Sequence, residues 1–298
     1  MEFLNPIVEG YYADPEARVY NNVYYIYVTR SFTAFEDQMN LEVFSSTDLK
    51  QWEKHEGIVA MEDFPYIQKA VWAPTVIEKD GKYYLVFASN DIQNDEEEGG
   101  LEIAVSDCPE GPFRGYLGHP LVDKFVNNAQ PIDAHFFKDD DGTIYLYWGG
   151  WKHCNVAIMN ETMDGFVTLQ DGNWCKEVTP PDYVEGPCML KKDGAYYFMW
   201  SAGNWMNGSY HVNYCKADSP FGAFTEFTTI LEAQEGIADG PGHHGYLYIE
   251  EKKQWLIAYH RRFIGDKEAG HRVLCLEKMV FENGEILPIR MSTERVKL

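Results

Sequence analysis

Five short runs along the chain are apolar or aromatic at nearly every position: Val23–Val28, Lys82–Phe87, Thr143–Trp148, Ala195–Trp200 and Gln254–Tyr259. Each is too short for a buried helix and rich in Tyr, Trp, Val and Ile, so each predicts a buried strand. Taking Tyr24, Tyr83, Ile144, Tyr196 and Trp255 as equivalent, the steps are 59, 61, 52 and 59 residues. That period belongs to a propeller blade or a solenoid turn. Turn dipeptides precede four of the runs, Asn21-Asn22, Asp80-Gly81, Asp141-Gly142 and Asp193-Gly194, as expected of hairpins. The fifth has a charged loop, Glu250-Glu251-Lys252-Lys253, instead.

A third strand follows in each unit, at Leu41–Ser46, Leu101–Ser106, Asn155–Met159, Tyr210–Cys215 and Arg272–Glu277, and Trp52, Phe113, Phe166 and Phe224 introduce fourth strands. No amphipathic helix of useful length interrupts the pattern. The expected fold is all-β, a five-bladed β-propeller with four antiparallel strands per blade, and residues 1–298 read as one domain.

Composition narrows the partners. A formal charge of −22 opposes binding to nucleic acid or to an anionic membrane and leaves a neutral ligand as the better fit. No run approaches the roughly 20 apolar residues of a membrane-spanning helix. Six cysteines without a CxxC pair signal neither a zinc site nor a redox motif and read as free thiols. With no leader-like segment before Asn5-Pro6, a cytoplasmic location is expected. The acidic stretch Asn90–Gly100 reads as a solvated loop. Oligomeric state leaves no mark in the sequence.

Counting back ten to twelve residues from each anchor reaches Asp14, Trp72, Asp133, Glu185 and the pair His243-His244. Equivalent positions in a closed ring face one axis, so these side chains are expected to converge where the innermost strands begin. Carboxylates sharing a partly buried pocket push one another's pKa apart, leaving one protonated and another ionised. That division suits acid and base cleavage of a glycosidic bond.

Tyr12-Ala13-Asp14-Pro15, Val71-Trp72-Ala73-Pro74, Pro131-Ile132-Asp133, Glu185-Gly186-Pro187, Gly240-Pro241-Gly242-His243-His244 and Gly270-His271-Arg272 together resemble glycoside hydrolase family 43, from about Asn5 to about Ile289. The resemblance implies a five-bladed propeller enzyme that inverts the anomeric centre, usually on arabinofuranosides or β-xylosides. It implies Asp14 as the general base, Asp133 as the residue that orients the acid and modulates its pKa, and Glu185 as the general acid. Arg272 would contact substrate hydroxyls. Trp72 would stack on a sugar ring, with Phe32 as a further apolar wall.

His243 would face the channel floor, where many members hold calcium or another divalent ion through water, although His244, eleven residues before its anchor, fits the register better as the axial residue. No cofactor is needed for the chemistry itself. The expected activity is release of α-L-arabinofuranosyl or β-D-xylosyl residues from short, neutral plant cell-wall oligosaccharides by exo cleavage. Two other readings stay open, a propeller glycosidase of different specificity, such as a galactosidase, and a non-catalytic propeller that binds sugars.

Overall fold

The computed structural model describes residues 1–32 and 34–298. Five antiparallel sheets follow one another along the chain, each built in sequence order. Blade I comprises Tyr12–Tyr20, Val23–Arg30, Leu41–Ser46 and Glu53–Glu56. Blade II comprises Trp72–Lys79, Lys82–Ser89, Gly100–Ser106 and Arg114–Gly115. Blade III comprises His135–Lys138, Ile144–Trp148, Asn155–Ile158 and Cys175–Glu177. Blade IV comprises Glu185–Lys192, Ala195–Ala202, His211–Ala217 and Thr228–Leu231. Blade V comprises Asp239–Ile249, Gln254–Arg262 and Arg272–Met279. The first strand of each blade lies against the first strand of the next, and blade V returns to blade I, which closes the ring.

The apolar runs are continuous because both faces of each second strand are buried, with alternate side chains entering opposite interfaces. Tyr25 and Tyr27 pack with Leu85 and Phe87 between blades I and II, while Ile26 and Val28 pack with Leu256 and Ala258 between blades V and I. The three remaining seams are filled by Val86 with Phe136 and Trp148, by Tyr147 with Phe198 and Trp200, and by Met199 with Ile257 and Tyr259.

Blade V departs from four strands per blade. Among the described residues its sheet has three, and the outer edge of Arg272–Met279 is met by the start of the chain instead. The Ile7 N–H donates to the Leu274 carbonyl at 3.0 Å. The Asn5 side chain brackets Leu276, donating to its carbonyl at 2.7 Å and accepting from its N–H at 2.9 Å. Glu2–Phe3 pairs with Val296–Lys297, so the two ends of the chain are joined beside this seam. An amide side chain standing in for backbone is why no fourth-strand pattern is visible here.

The turns follow their residues. Asn21-Asn22, Asp80-Gly81 and Asp193-Gly194 all have positive φ at both positions, as the tightest hairpins demand. At Asp141-Gly142 only the glycine does, in a longer loop closed by the Asp139 N–H on the Thr143 carbonyl. Among the described residues the helical content is three single 3-10 turns, at Phe35–Asp37, Met61–Asp63 and Glu250–Lys252. None of the six cysteines is in a disulfide: Cys108 is exposed and the other five are buried.

Candidate active site

Strand pairing breaks near the start of four innermost strands, between Ala13 and Glu16, Trp72 and Thr75, Glu185 and Cys188, and Gly242 and His244. Each break holds a residue with positive φ: Asp14 (53°), Ala73 (47°), Gly186 (63°) and His243 (36°). In blade III the matching residue is Asp133 (56°), just after Ile132 accepts a hydrogen bond from the Gly149 N–H. A bulge of this kind re-aims a side chain that would otherwise enter the seam between blades.

The equivalent positions are therefore Asp14, Ala73, Asp133, Gly186 and His243. Glu185 stands one residue earlier, in the position of Trp72. This corrects the shared register expected of the three carboxylates and places His243, rather than His244, at the axial position. His244 is buried, and neither of its ring nitrogens has a hydrogen-bond partner among the described residues.

Three of the bulges are held in the same way. Five residues after the anchors of blades I, IV and V, a side chain accepts the bulge N–H of the next blade. Thr29 Oγ1 takes Ala73 N–H at 2.8 Å, Ser201 Oγ takes His243 N–H at 2.9 Å, and His260 Nδ1 takes Asp14 N–H at 3.3 Å. In blade II this position is Ala88, which has no side-chain acceptor, and in blade III it is Gly149, which has none either. There the Gly186 N–H turns to Asp133 Oδ2 at 3.1 Å, which ties that carboxylate to the strand carrying Glu185.

The three carboxylates meet around His243 and Arg272. Asp14 Oδ1 lies 3.2 Å from Arg272 Nη1 and 3.3 Å from His243 Nδ1, and Asp133 Oδ2 lies 3.5 Å from the same nitrogen. Glu185 Oε1 accepts the Tyr210 hydroxyl at 2.8 Å. Blades I and IV are not neighbours in the ring, so Asp14 and Glu185 approach from separate sides, while Asp133 is next to Glu185.

Burial works against ionisation of Asp14, but the Arg272 guanidinium overrides it and holds the carboxyl at about 2. His243 and His260 are themselves pushed below the usual histidine range by burial, so near pH 7 they offer Asp14 dipoles rather than charge. Asp133 and Glu185 move the other way. Burial raises both, Asp133 is raised further by Glu185 and Asp14, and on Glu185 the repulsion from Asp14 is opposed by the Tyr210 hydrogen bond. One fixed cation among three carboxyls leaves one of them ionised and a proton held by the other two.

These groups lie in a cavity of about 290 Å³, at the small end of ligand pockets. Its apolar walls are Phe35, Trp72, Ile132, Trp151 and Trp205. Trp72 is held by its Nε1–H on Gln38 Oε1 and by the edge of Phe35, 4.8 Å away. Arg272 is fixed by donation from Nε to Ser31 Oγ at 2.8 Å and lies over the Trp205 ring. Phe32 is not among the lining residues. It is 48 % exposed and lies beneath the Arg30 guanidinium, and the 3-10 turn at Phe35–Asp37 brings Phe35 into the wall instead.

His260, Tyr210 and Trp205 are site residues that the sequence reading passed over. His260 had a legible signal, because it stands five residues after its anchor, as Thr29 and Ser201 do. Trp205 comes from a loop between strands, where the repeat sets no register, and Tyr210, expected to open a third strand, lies one residue before the observed strand His211–Ala217.

The channel continues beneath the acids. Glu16 Oε2 is 3.1 Å from His135 Nδ1, Arg18 pairs with Glu16, and Arg18 Nη2 donates to the Phe136 carbonyl at 2.7 Å. These contacts join blades I and III, which are not adjacent, so they cross the axis. For the expected divalent ion this donor set is a poor match. Calcium prefers several oxygens, His243 offers one imidazole already beside two carboxylates, and Glu16 is taken by Arg18 and His135. No cluster of three or more His, Cys, Asp or Glu suited to a metal occurs among the described residues.

Known proteins resemble the chain throughout its length. The family model for glycosyl hydrolases family 43 matches residues 3–286. The beta-D-galactofuranosidase xynD of Aspergillus niger is 40% identical over 98% of this chain and 86% of its own length. A beta-xylosidase of Xylanibacter ruminicola is 30% identical, covering 84% of this chain and 87% of its own. Among solved structures, an alpha-L-arabinofuranosidase from Clostridium thermocellum superposes with a TM-score of 0.77 at 26% identity, covering 96% of each chain. The chain belongs to glycosyl hydrolases family 43 and is a glycosidase with the five-bladed propeller fold.

Proposed function

We propose that the protein is an exo-acting, inverting furanosidase that removes terminal α-L-arabinofuranosyl and β-D-galactofuranosyl residues from short neutral oligosaccharides. The observation that carries this is the small cavity in which three carboxyls share one fixed cation. The two sugars are related by simple chemistry: replacing the C6 hydroxymethyl group of β-D-galactofuranose by hydrogen leaves the ring stereochemistry of α-L-arabinofuranose. One ring pocket therefore suits both, in keeping with a galactofuranosidase and an arabinofuranosidase among the relatives. A β-D-xylosyl substrate is the second reading, favoured by the xylosidase relative.

In this mechanism Asp14, ionised beside Arg272, takes a proton from water as the water oxygen attacks the anomeric carbon. The glycosidic C–O bond breaks with its electron pair on the departing oxygen, which takes the proton held by Glu185. The sugar leaves with inverted configuration. Asp133 is a positioning residue, anchored by the Gly186 N–H and keeping the proton on the pair it forms with Glu185. Trp72 offers its face to the sugar ring, and Arg272 orients both Asp14 and a sugar hydroxyl.

The test is a panel of nitrophenyl α-L-arabinofuranoside, β-D-galactofuranoside and β-D-xyloside, with proton NMR of the first product formed from an oligosaccharide. Hydrolysis of the furanosides with inversion is expected. A retained anomer, or turnover of the xyloside alone, overturns the reading.

A further inference from the structure

Asp91 is a carboxylate in the cavity that the chemistry does not use. It follows the second strand of blade II with φ of 49° and lines the same cavity as Asp14, Asp133 and Glu185. Its Oδ1 accepts from Gln130 Nε2 at 2.9 Å and from Gln93 Nε2 at 3.0 Å. Gln130 is buried, also donates to the Ile92 carbonyl at 2.9 Å, and lines the cavity beside Ile132. Behind that wall there is no slack: a Cβ on Gly150 would stand 2.7 Å from Ile132 Cδ1 and 3.2 Å from Gln130 Oε1. Asp91 Oδ2 has no protein donor among the described residues. One oxygen is thus fixed by amides from two loops while the other is left for a ligand. Burial raises the Asp91 carboxyl above the usual range, which marks it as poorly solvated.

The two furanosyl groups differ only outside the ring. Arabinofuranosyl carries one exocyclic hydroxyl, at C5, whereas galactofuranosyl carries a vicinal diol at C5 and C6. A carboxylate is an acceptor for two hydroxyl donors and suits a diol better than a single hydroxyl. The apolar residues of the cavity offer no acceptor for that second hydroxyl, and the three catalytic carboxyls are committed at the anomeric end.

We infer that Asp91, positioned by Gln130, is the residue that selects galactofuranosyl over arabinofuranosyl substrates, by accepting hydrogen bonds from the exocyclic diol. This rests on the furanosidase reading above. A hydrogen bond to a charged group contributes on the order of 10- to 100-fold, so one additional bond sets the size of the preference.

The experiment compares kcat/KM on nitrophenyl β-D-galactofuranoside and α-L-arabinofuranoside for the wild type, Asp91→Ala and Asp91→Asn. In Asp91→Ala the galactofuranoside is expected to fall about 10- to 100-fold further than the arabinofuranoside. Asp91→Asn, which keeps an acceptor for Gln130 but offers an amide to the diol, is expected to lie between. Residual arabinofuranoside turnover reports that each variant is folded. An unchanged ratio in Asp91→Ala, or a wild type that cleaves the arabinofuranoside but not the galactofuranoside, overturns the assignment while leaving the furanosidase reading in place. A wild type inactive on both furanosides overturns that reading instead.

Discussion

The two ends of the axial channel are built from the same kinds of residue and differ in one count. At the lower end Glu16, Arg18 and His135 cross the axis with one carboxylate to one guanidinium. At the upper end Asp14, Asp133 and Glu185 share the single guanidinium of Arg272, with His243 between them. A matched buried pair has no reason to bind or release protons near neutral pH. An unmatched group must hold a proton, and that proton is what an acid catalyst donates. Chemistry sits where the charges fail to balance, and both ends hang from the same inner strands, Asp14 and Glu16 being two residues apart.

The largest expected effects come from removing the two groups that make the upper end reactive. Asp14→Asn and Glu185→Gln should each lower kcat by about 10³-fold or more on an oligosaccharide, within or beyond the usual contribution of a general acid or base. The two should part company on activated substrates. Glu185→Gln should recover most of its rate on a dinitrophenyl glycoside, whose departing oxygen needs no proton, whereas Asp14→Asn should not. Near-normal rates for Glu185→Gln on substrates with poor leaving groups would falsify the assignment of the acid.

At the lower end the same kind of change should act on stability instead. Arg18→Leu leaves Glu16 buried without its cation, and breaking a buried pair costs about 3–5 kcal/mol. Replacing both, as Glu16→Leu with Arg18→Leu, should cost less than Arg18→Leu alone. Denaturant unfolding measures both, and kcat of the folded fraction should stay close to wild type. A rate loss like that of Asp14→Asn would merge the two ends into one functional unit and break the comparison.

Asp133→Asn separates charge from position. The folded-state pKa of the Asp133 and Glu185 pair is raised, so the unfolded chain loses these protons first as pH increases above about 4. Their burial therefore costs the native state progressively more stability as pH rises, up to the raised pKa. Asp133→Asn should then raise Tm at pH 7 and do little at pH 3.5. Without the Asp133 charge Glu185 gives up its proton more readily, so the alkaline limb of the kcat profile should move to lower pH. Asp14 runs the other way: its lowered pKa contributes stability above about pH 4 that is lost as pH falls toward 2. A Tm unchanged by Asp133→Asn at pH 7 would show that the carboxylate is not strained by its burial.

Much of this is legible in the sequence. The five aromatic strands and their Asn, Asp and Gly turns fix the ring, because a side-chain period of two on a strand buried on both faces leaves few alternatives. The convergence of Asp14, Asp133 and Glu185 was also legible from spacing. The one-residue offset of Glu185 was not, because a bulge adds a residue to one strand without changing its composition. Phe35 escaped notice in favour of Phe32 for a related reason, since a 3-10 turn rather than a strand aims it. Asn5 closing blade V was invisible because an amide side chain imitates a strand edge.

The smallest effect expected is that of removing metal. The resemblance to the family raises a hydrated divalent ion at His243, yet that imidazole stands beside Asp14 and Asp133, and the carboxylate below it, Glu16, is already neutralised by Arg18. Calcium takes six to eight oxygens, and here the carboxylates that could supply them are already engaged, Asp14 by Arg272 and Glu16 by Arg18. Dialysis against EDTA should therefore leave both Tm and kcat unchanged, and added calcium should raise neither. About one calcium per chain after purification, with a Tm that falls on chelation, would move the His243 end of the channel from a site for proton chemistry to one shared with an ion, and the contrast between a matched and an unmatched end would have to be redrawn with that charge included.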